Sequence, residues 1–257
     1  MARVFVTGSA DGLGLAAGRR LMDDGHDVGL LARNAARAYD IRRAEPRAGT
    51  ILVGDLASLA EVRALAGQAD MTGRFDAVIH NAGVGYTAQR RVETADGLER
   101  HFAVNVLAPY LLTALMSRPD RLIYLTSGMH ESGRADLDDP QWTSRRWSGS
   151  GAYSDSKLWD VVLTFAVARR WPDVRSNCVD PGWVATRMGG VGAPGGLDEG
   201  TATQVWLATG DDPAATVSGR YFYHRQARQP LGATQRAGLQ DELLDYCAGL
   251  TGTPLPT

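Results

Sequence analysis

The sequence predicts an α/β fold in which one doubly wound, mostly parallel sheet of about seven strands carries helices on both faces. Two observations predict it. Short apolar runs alternate along the 257 residues with longer segments whose apolar residues recur every three or four positions. The first run also ends in a glycine-rich turn that opens a helical segment, the usual start of a parallel crossover.

In chain order the strands are Arg3–Thr7, Asp27–Ala32, Thr50–Val53, Ala77–His80, Arg121–Thr126, Arg175–Val179 and Gly219–Tyr223. Each is short and apolar, as a strand covered on both faces requires. Helical spacing appears in Leu13, Ala16, Ala17 and Leu21, then in Ser58–Ala69, Leu98–Met116 and Ser154–Arg170. Right-handed crossovers bring the carboxyl ends of the strands to one edge, where such folds bind ligands. Two irregular stretches stand out, 128–151 and 187–198. The first is polar and contains DLDDPQW and RRW; the second is centred on GGVGAPGG at Gly189–Gly196. So many glycines suit neither helix nor strand, and this stretch is expected to act as a mobile lid. Both are insertions between core elements, so residues 1–257 are read as one domain.

Composition narrows the function. Hydrophobic residues make up 44% and charged residues 22%, and 27 basic side chains nearly balance 29 acidic ones. That balance offers no broad field for nucleic acid or an anionic membrane. No run approaches the roughly 20 apolar residues of a membrane helix, and the opening MARVFVTG has no signal-peptide pattern. The expected location is the cytoplasm. Cys178 and Cys247 form no CxxC pair and are expected to be buried thiols. The five histidines do not cluster, so no metal site is expected.

The turn Thr7-Gly8-Ser9-Ala10-Asp11-Gly12-Leu13-Gly14 carries the first chemistry. Its glycines allow a pyrophosphate to approach the backbone, and the following helix offers free N–H donors and a partial positive charge. Three glycines can also make a turn that holds nothing. The second strand ends at Ala32-Arg33, where a dinucleotide fold reads the adenosine ribose. A carboxylate there would bind the 2′-hydroxyl of NAD(H); the Arg33 guanidinium instead suits a 2′-phosphate. NADP(H) is therefore favoured over NAD(H), with Asp11 opposing it by charge and a surface role for Arg33 as the alternative.

The second chemistry lies at Tyr153 and Lys157, four residues apart and so on one helix face. A free phenol ionises near pH ~10, and a neighbouring ammonium together with the positively charged nicotinamide of an oxidised cofactor would lower that value. Tyrosine can then exchange a proton with a carbonyl or alcohol oxygen. Ser127 follows an apolar strand and places a hydroxyl at the same edge, as does the turn Asn81-Ala82-Gly83. Pro109 lacks an N–H, so the carbonyl of Asn105 loses its helical partner and becomes a candidate anchor for a relay water.

Together these residues resemble the short-chain dehydrogenase/reductase family, whose domain is a Rossmann-type fold. The matches are Thr7-Gly8-x-x-x-Gly12-Leu13-Gly14, Asp55-Leu56, Asn81-Ala82-Gly83, Asn105, Ser127, Tyr153-x-x-x-Lys157 and Pro181-Gly182, in the family's order. The resemblance implies that Gly8, Ser9, Gly12, Leu13 and Gly14 line the pyrophosphate. It puts Asp55 and Leu56 beside the adenine, and Asn81 and Gly83 beside the adenine-side ribose. Lys157 would bind the nicotinamide ribose, with Pro181, Val184 and Thr186 bordering the amide. Ser127 would position the substrate carbonyl, Tyr153 would be the acid–base and Asn105 would hold the water. The gap from Ser127 to Tyr153 is about twice the family's usual one. That gap and its Asp138-Asp139-Pro140-Gln141-Trp142 resemble the branch of retinol dehydrogenases and the WW-domain-containing oxidoreductase. Bacterial ketoreductases are similar too.

The expected function is thus hydride transfer between NADP(H) and a ketone, aldehyde or secondary alcohol. The alternatives are a silent cofactor-binding protein on the same fold and a sugar-nucleotide epimerase or dehydratase. His130, Trp142, Trp147 and Trp183 are candidate walls of the substrate pocket, with a structural role for His130 and a packed loop for the tryptophans as the alternatives. Should the chain form a dimer or tetramer, the resemblance implies pairing through the helices at Leu98–Met116 and Ser154–Arg170.

Overall fold

A computed structural model describes residues Met1–Thr257. The first half alternates β1 (Arg3–Val6), α1 (Gly12–Asp23), β2 (Asp27–Ala32), α2 (Ala35–Ala44), β3 (Thr50–Val53), α3 (Leu59–Met71) and β4 (Ala77–His80). The second half follows with α4 (Ala108–Leu115), β5 (Arg121–Leu125), α5 (Gly149–Arg170), β6 (Arg175–Asp180), α6 (Leu197–Thr209), β7 (Arg220–Tyr223), β8 (Gln226–Arg228) and α7 (Ala237–Thr251). All strands join one sheet in the order β3-β2-β1-β4-β5-β6-β7-β8. The first seven are parallel and coincide with the seven expected ones. The eighth, β8, pairs antiparallel with β7. Its three residues Gln-Ala-Arg are exposed and carry no apolar run, which is why the sequence hides it.

Strand residues alternate between two core layers, as the two-residue period requires. Phe5, Val78, Leu122, Tyr124, Cys178 and Tyr221 face the layer formed with α3, α4, α5 and α7. Val4, Val6, Ala77, Ile79, Ile123, Leu125, Val179 and Phe222 face the opposite layer, formed with α1 and α6. Cys178 and Cys247 are both buried free thiols.

The expected helix Leu98–Met116 is not one regular helix. Residues Phe102–Leu107 form a wide π-type turn, and the Ala108 N–H donates to the Ala103 carbonyl five residues back. Pro109 then starts α4, where its missing N–H costs least. Helix α5 begins earlier than expected, capped by Ser148. It is buried along almost its whole length, because α7 covers one side. The last residues then strap α4 and α5: the Tyr110 hydroxyl donates to the Thr253 carbonyl at 2.8 Å and Trp171 Nε1 to the Pro256 carbonyl at 2.7 Å.

Candidate active site

Strands β1 and β4 are neighbours, yet the chain leaves β1 in one direction and returns to β4 from the other. At this switch point the loops diverge. A cleft of about 620 Å³ opens there, running from the glycine loop through Asn81–Gly83 to Tyr153, Lys157, Pro181 and Thr186.

The glycine loop has a specific local cause. Gly8 and Gly12 have φ of +63° and +55°, and a Cβ on Gly8 would lie 2.6 Å from the Ala82 backbone. Helices α2, α3 and α5 each receive a side-chain cap, from Asn34, Ser58 and Ser148. Asp11 occupies the same place on α1 and makes no such bond. The first turn of α1, with Gly12, Leu13 and Gly14 on the cleft wall, thus has donors that no side chain satisfies. That donor set and the helix's positive end fit the diphosphate of a dinucleotide.

Several expected contacts sit elsewhere. Ser9 does not line the cleft: it is fully buried, its hydroxyl donating to the Val6 carbonyl and accepting from the Leu31 N–H. Asn81 lines the cleft with Ala82 and Gly83, but its amide donates to the Thr7 and Gly8 carbonyls and ties β4 to the loop. Leu56 and Arg33 border the adenosine end, whereas Asp55 turns to cap the Ala57 N–H and approaches Arg33 at 3.9 Å. Asp11 is charge-partnered by Arg37 at 3.3 Å and Arg187 at 3.9 Å. Gly182 has φ of +82° and donates to Asp180. Val184 is buried with its methyl groups against Gly200, not on the cleft wall.

At the other end Tyr153 and Lys157 face the cleft from the first turns of α5, the ammonium 5.8 Å from the phenol ring centroid. Lys157 Nζ donates to the Leu125 carbonyl at 2.8 Å and to Asp160 Oδ2 at 2.7 Å. Burial pushes the Tyr153 phenol above its ordinary value; Lys157 and the Ser127 hydroxyl pull it back, and Asp160 and Asp180 push it further up. The protein's own groups do not lower the phenol, since burial outweighs the ammonium; the lowering expected with the oxidised nicotinamide's charge belongs to the complex. Tyr86 packs edge-on against Tyr153 at 5.7 Å.

Asn105 lies in the π-type turn, buried behind the cleft wall. Its Oδ1 accepts from the Val84 N–H at 2.8 Å and its Nδ2 donates to Ser156 Oγ at 2.8 Å. The side chain thereby joins the loop after β4 to α5, immediately behind Gly83 and Lys157.

The four proposed wall residues are corrected. His130 is wholly buried, its ring bonded to the Ser127 carbonyl and the Leu231 N–H. Trp142 donates to Asp155, and Trp147 donates to the Ala88 carbonyl and packs edge-on against Trp142. Trp142 clamps the 128–151 insertion to α5 and Trp147 ties it to the loop after β4, because large rings with polar tips need a fixed partner. Trp183 is over half exposed and donates to the Gly189 carbonyl. The glycine stretch is also laced to residues 183–185 by Gly195 N–H to Trp183 and Ala185 N–H to Gly195, so lid motion would break these bonds. Tyr86, Thr87 and Met188 line the mouth instead. They belong to no motif, and neither do Arg37 and Asp180. Asp160 could have been found from its spacing, one turn beyond Lys157.

A sequence profile of the short chain dehydrogenase family matches residues 2–192. An uncharacterized oxidoreductase of Emericella nidulans is 43% identical across the whole chain and 99% of its own length. A short-chain dehydrogenase of Penicillium rubens is 41% identical with both chains fully covered. A Streptomyces protein bearing the name daunorubicin C-13 ketoreductase is 32% identical over 97% of this chain and 92% of its own. Among solved structures, an uncharacterized Mycobacterium paratuberculosis protein superposes with a TM-score of 0.83 at 27% identity, covering 100% and 96%. A metagenomic blue fluorescent protein in complex with NADPH gives 0.68 at 25%, covering 86% and 95%. The chain belongs to the short-chain dehydrogenase family and is an oxidoreductase of that family.

Proposed function

We propose that this protein reduces a ketone or aldehyde, reversibly, with NADP(H) as hydride carrier and Tyr153 as acid–base. One observation carries the reading: a buried phenol, flanked by the Ser127 hydroxyl and the Lys157 ammonium, borders the cleft that begins at the uncapped α1. Bound NADPH would supply the hydride to the carbonyl carbon. Tyr153 donates its proton to the carbonyl oxygen, Ser127 orients that oxygen, and Lys157 meets the ribose with its remaining proton. A phenol held above its ordinary value stays protonated through neutral pH, which suits reduction. Arg33 on the cleft wall supports the 2′-phosphate reading, and the partnering of Asp11 by Arg37 removes the charge objection to it. Helix α7 and residues 252–257 pack on α5 and α4, so a subunit pairing through those two helices would have to displace them. The test is NADPH oxidation against a carbonyl panel with wild type and Tyr153→Phe. The variant should lose about 10²–10⁴-fold in turnover while binding NADPH normally. Turnover equal to wild type would end the proposal.

A further inference from the structure

Lys157 is the only lysine in the chain; every other of the 27 basic side chains is an arginine. Arginine stays charged at any working pH, whereas a buried lysine loses its proton readily. The one basic group that can neutralise therefore stands in the reaction site, 5% exposed. One helical turn further on lies Asp160, 2% exposed, with Oδ2 at 2.7 Å from Nζ.

We propose that Asp160 is a positioning residue of the reaction site, the buried counter-ion that keeps Lys157 charged and aims it at the cleft. The proposal rests on the assignment of Tyr153 and Lys157 made above. The ammonium has three protons; Asp160 and the Leu125 carbonyl hold two of them. The third is left for the cleft, beside Gly83, where a Cβ would lie 3.6 Å from Nζ.

The surroundings leave Asp160 no other cation. From β4 His80 stacks on Tyr124, and burial drops its pKa to about 3, so it is neutral. From β5 the Tyr124 phenol and from β6 the Cys178 thiol are both pushed up by burial and stay protonated. Asp180, also on β6, adds a second negative charge near Cys178 and Tyr153. Burial alone would lower the Lys157 ammonium; Asp160 and Tyr153 outweigh it and hold the value above 10.5. Burial pushes Asp160 up and the ammonium pulls it down, as in a mutually dependent pair.

A single lysine makes the test direct. Protein labelled with [ε-13C]lysine gives one side-chain lysine resonance, that of Lys157. In wild type it should stay in its ammonium position through pH ~10, against an ordinary lysine value near 10.4. Deprotonation well below that value would overturn the proposal in the native protein, whether or not any variant folds. In Asp160→Asn the midpoint should fall by at least about one pH unit, a tenfold loss of proton affinity. The alkaline limb of carbonyl reduction should move down with it. Coincident titrations and coincident pH–rate profiles in a folded Asp160→Asn would also overturn it. The Tyr153→Phe measurement keeps the two questions apart. An active Tyr153→Phe sinks the functional reading, whereas an inactive one with an unmoved Asp160→Asn titration sinks only the role of Asp160.

Discussion

The proposed preference for NADP(H) turns on Arg33. Its guanidinium is two-thirds exposed, with Asp55 at 3.9 Å as a loose partner, so it can swing to an anion at little cost. A charge-assisted contact to a 2′-phosphate is worth about 1.5–3 kcal/mol, roughly a 10- to 100-fold effect on affinity. Arg33→Ala should weaken NADPH binding by that factor and leave NADH binding unchanged, as fluorescence titration of both would report; equal losses for both would refute the 2′-phosphate role. At this scale the sequence was legible where residues fall in a spaced motif, as at Tyr153, Lys157 and Gly8, which all line the cleft. It was silent where a side chain turns inward, because Ser9 and His130 carry no mark of the hydrogen bonds that take them from the cleft.

Among elements, the insertion from 128 to 151 departs furthest from expectation. It is polar and irregular in sequence, and one carboxylate organises it. Asp139 accepts from the N–H and hydroxyl of Thr143, the N–H and hydroxyl of Ser144, and the Arg145 N–H. Burial resists its charge, but those bonds outweigh burial and hold the carboxyl well below the usual range. Its stabilisation is complete above the ordinary value of 3.8 and lost as pH falls below that. Asp139→Ala should lower unfolding free energy by about 3 kcal/mol and speed amide exchange at Thr143–Arg145. Unchanged exchange there would show that the loop holds itself by other means. The π-type turn was half legible: Pro109 announced a fault in the helix, but local rules do not say that the turn widens around Asn105.

For the whole molecule, the parallel sheet and its two covered faces followed from alternation, since period and burial are properties of the sequence. The eighth strand and the C-terminal strap did not, since exposed polar residues and backbone carbonyls that accept from Tyr110 and Trp171 leave no local pattern. Global stability should carry the imprint of His80, buried in the layer behind the sheet with Nδ1 unpartnered. Burial lowers its pKa from 6.5 to about 3. The unfolded chain takes up this proton below 6.5 and the folded chain refuses it until about 3. Stability is therefore whole above 6.5 and declines as pH falls, by up to about 1.4 kcal/mol per unit for one proton. Urea unfolding between pH 7 and 4.5 should show a shallower decline for His80→Phe than for wild type; parallel curves would assign the acid sensitivity elsewhere. Concentrating the chain's side-chain amines into one also has a practical result. An acylating reagent meets a single lysine, nearly buried on the cleft wall with two of its three protons held by the Leu125 carbonyl and Asp160. Reaction at position 157 must wait for those bonds to open, so, once the exposed α-amine of Met1 is told apart by peptide mapping, acylation kinetics there time the local opening of the cleft.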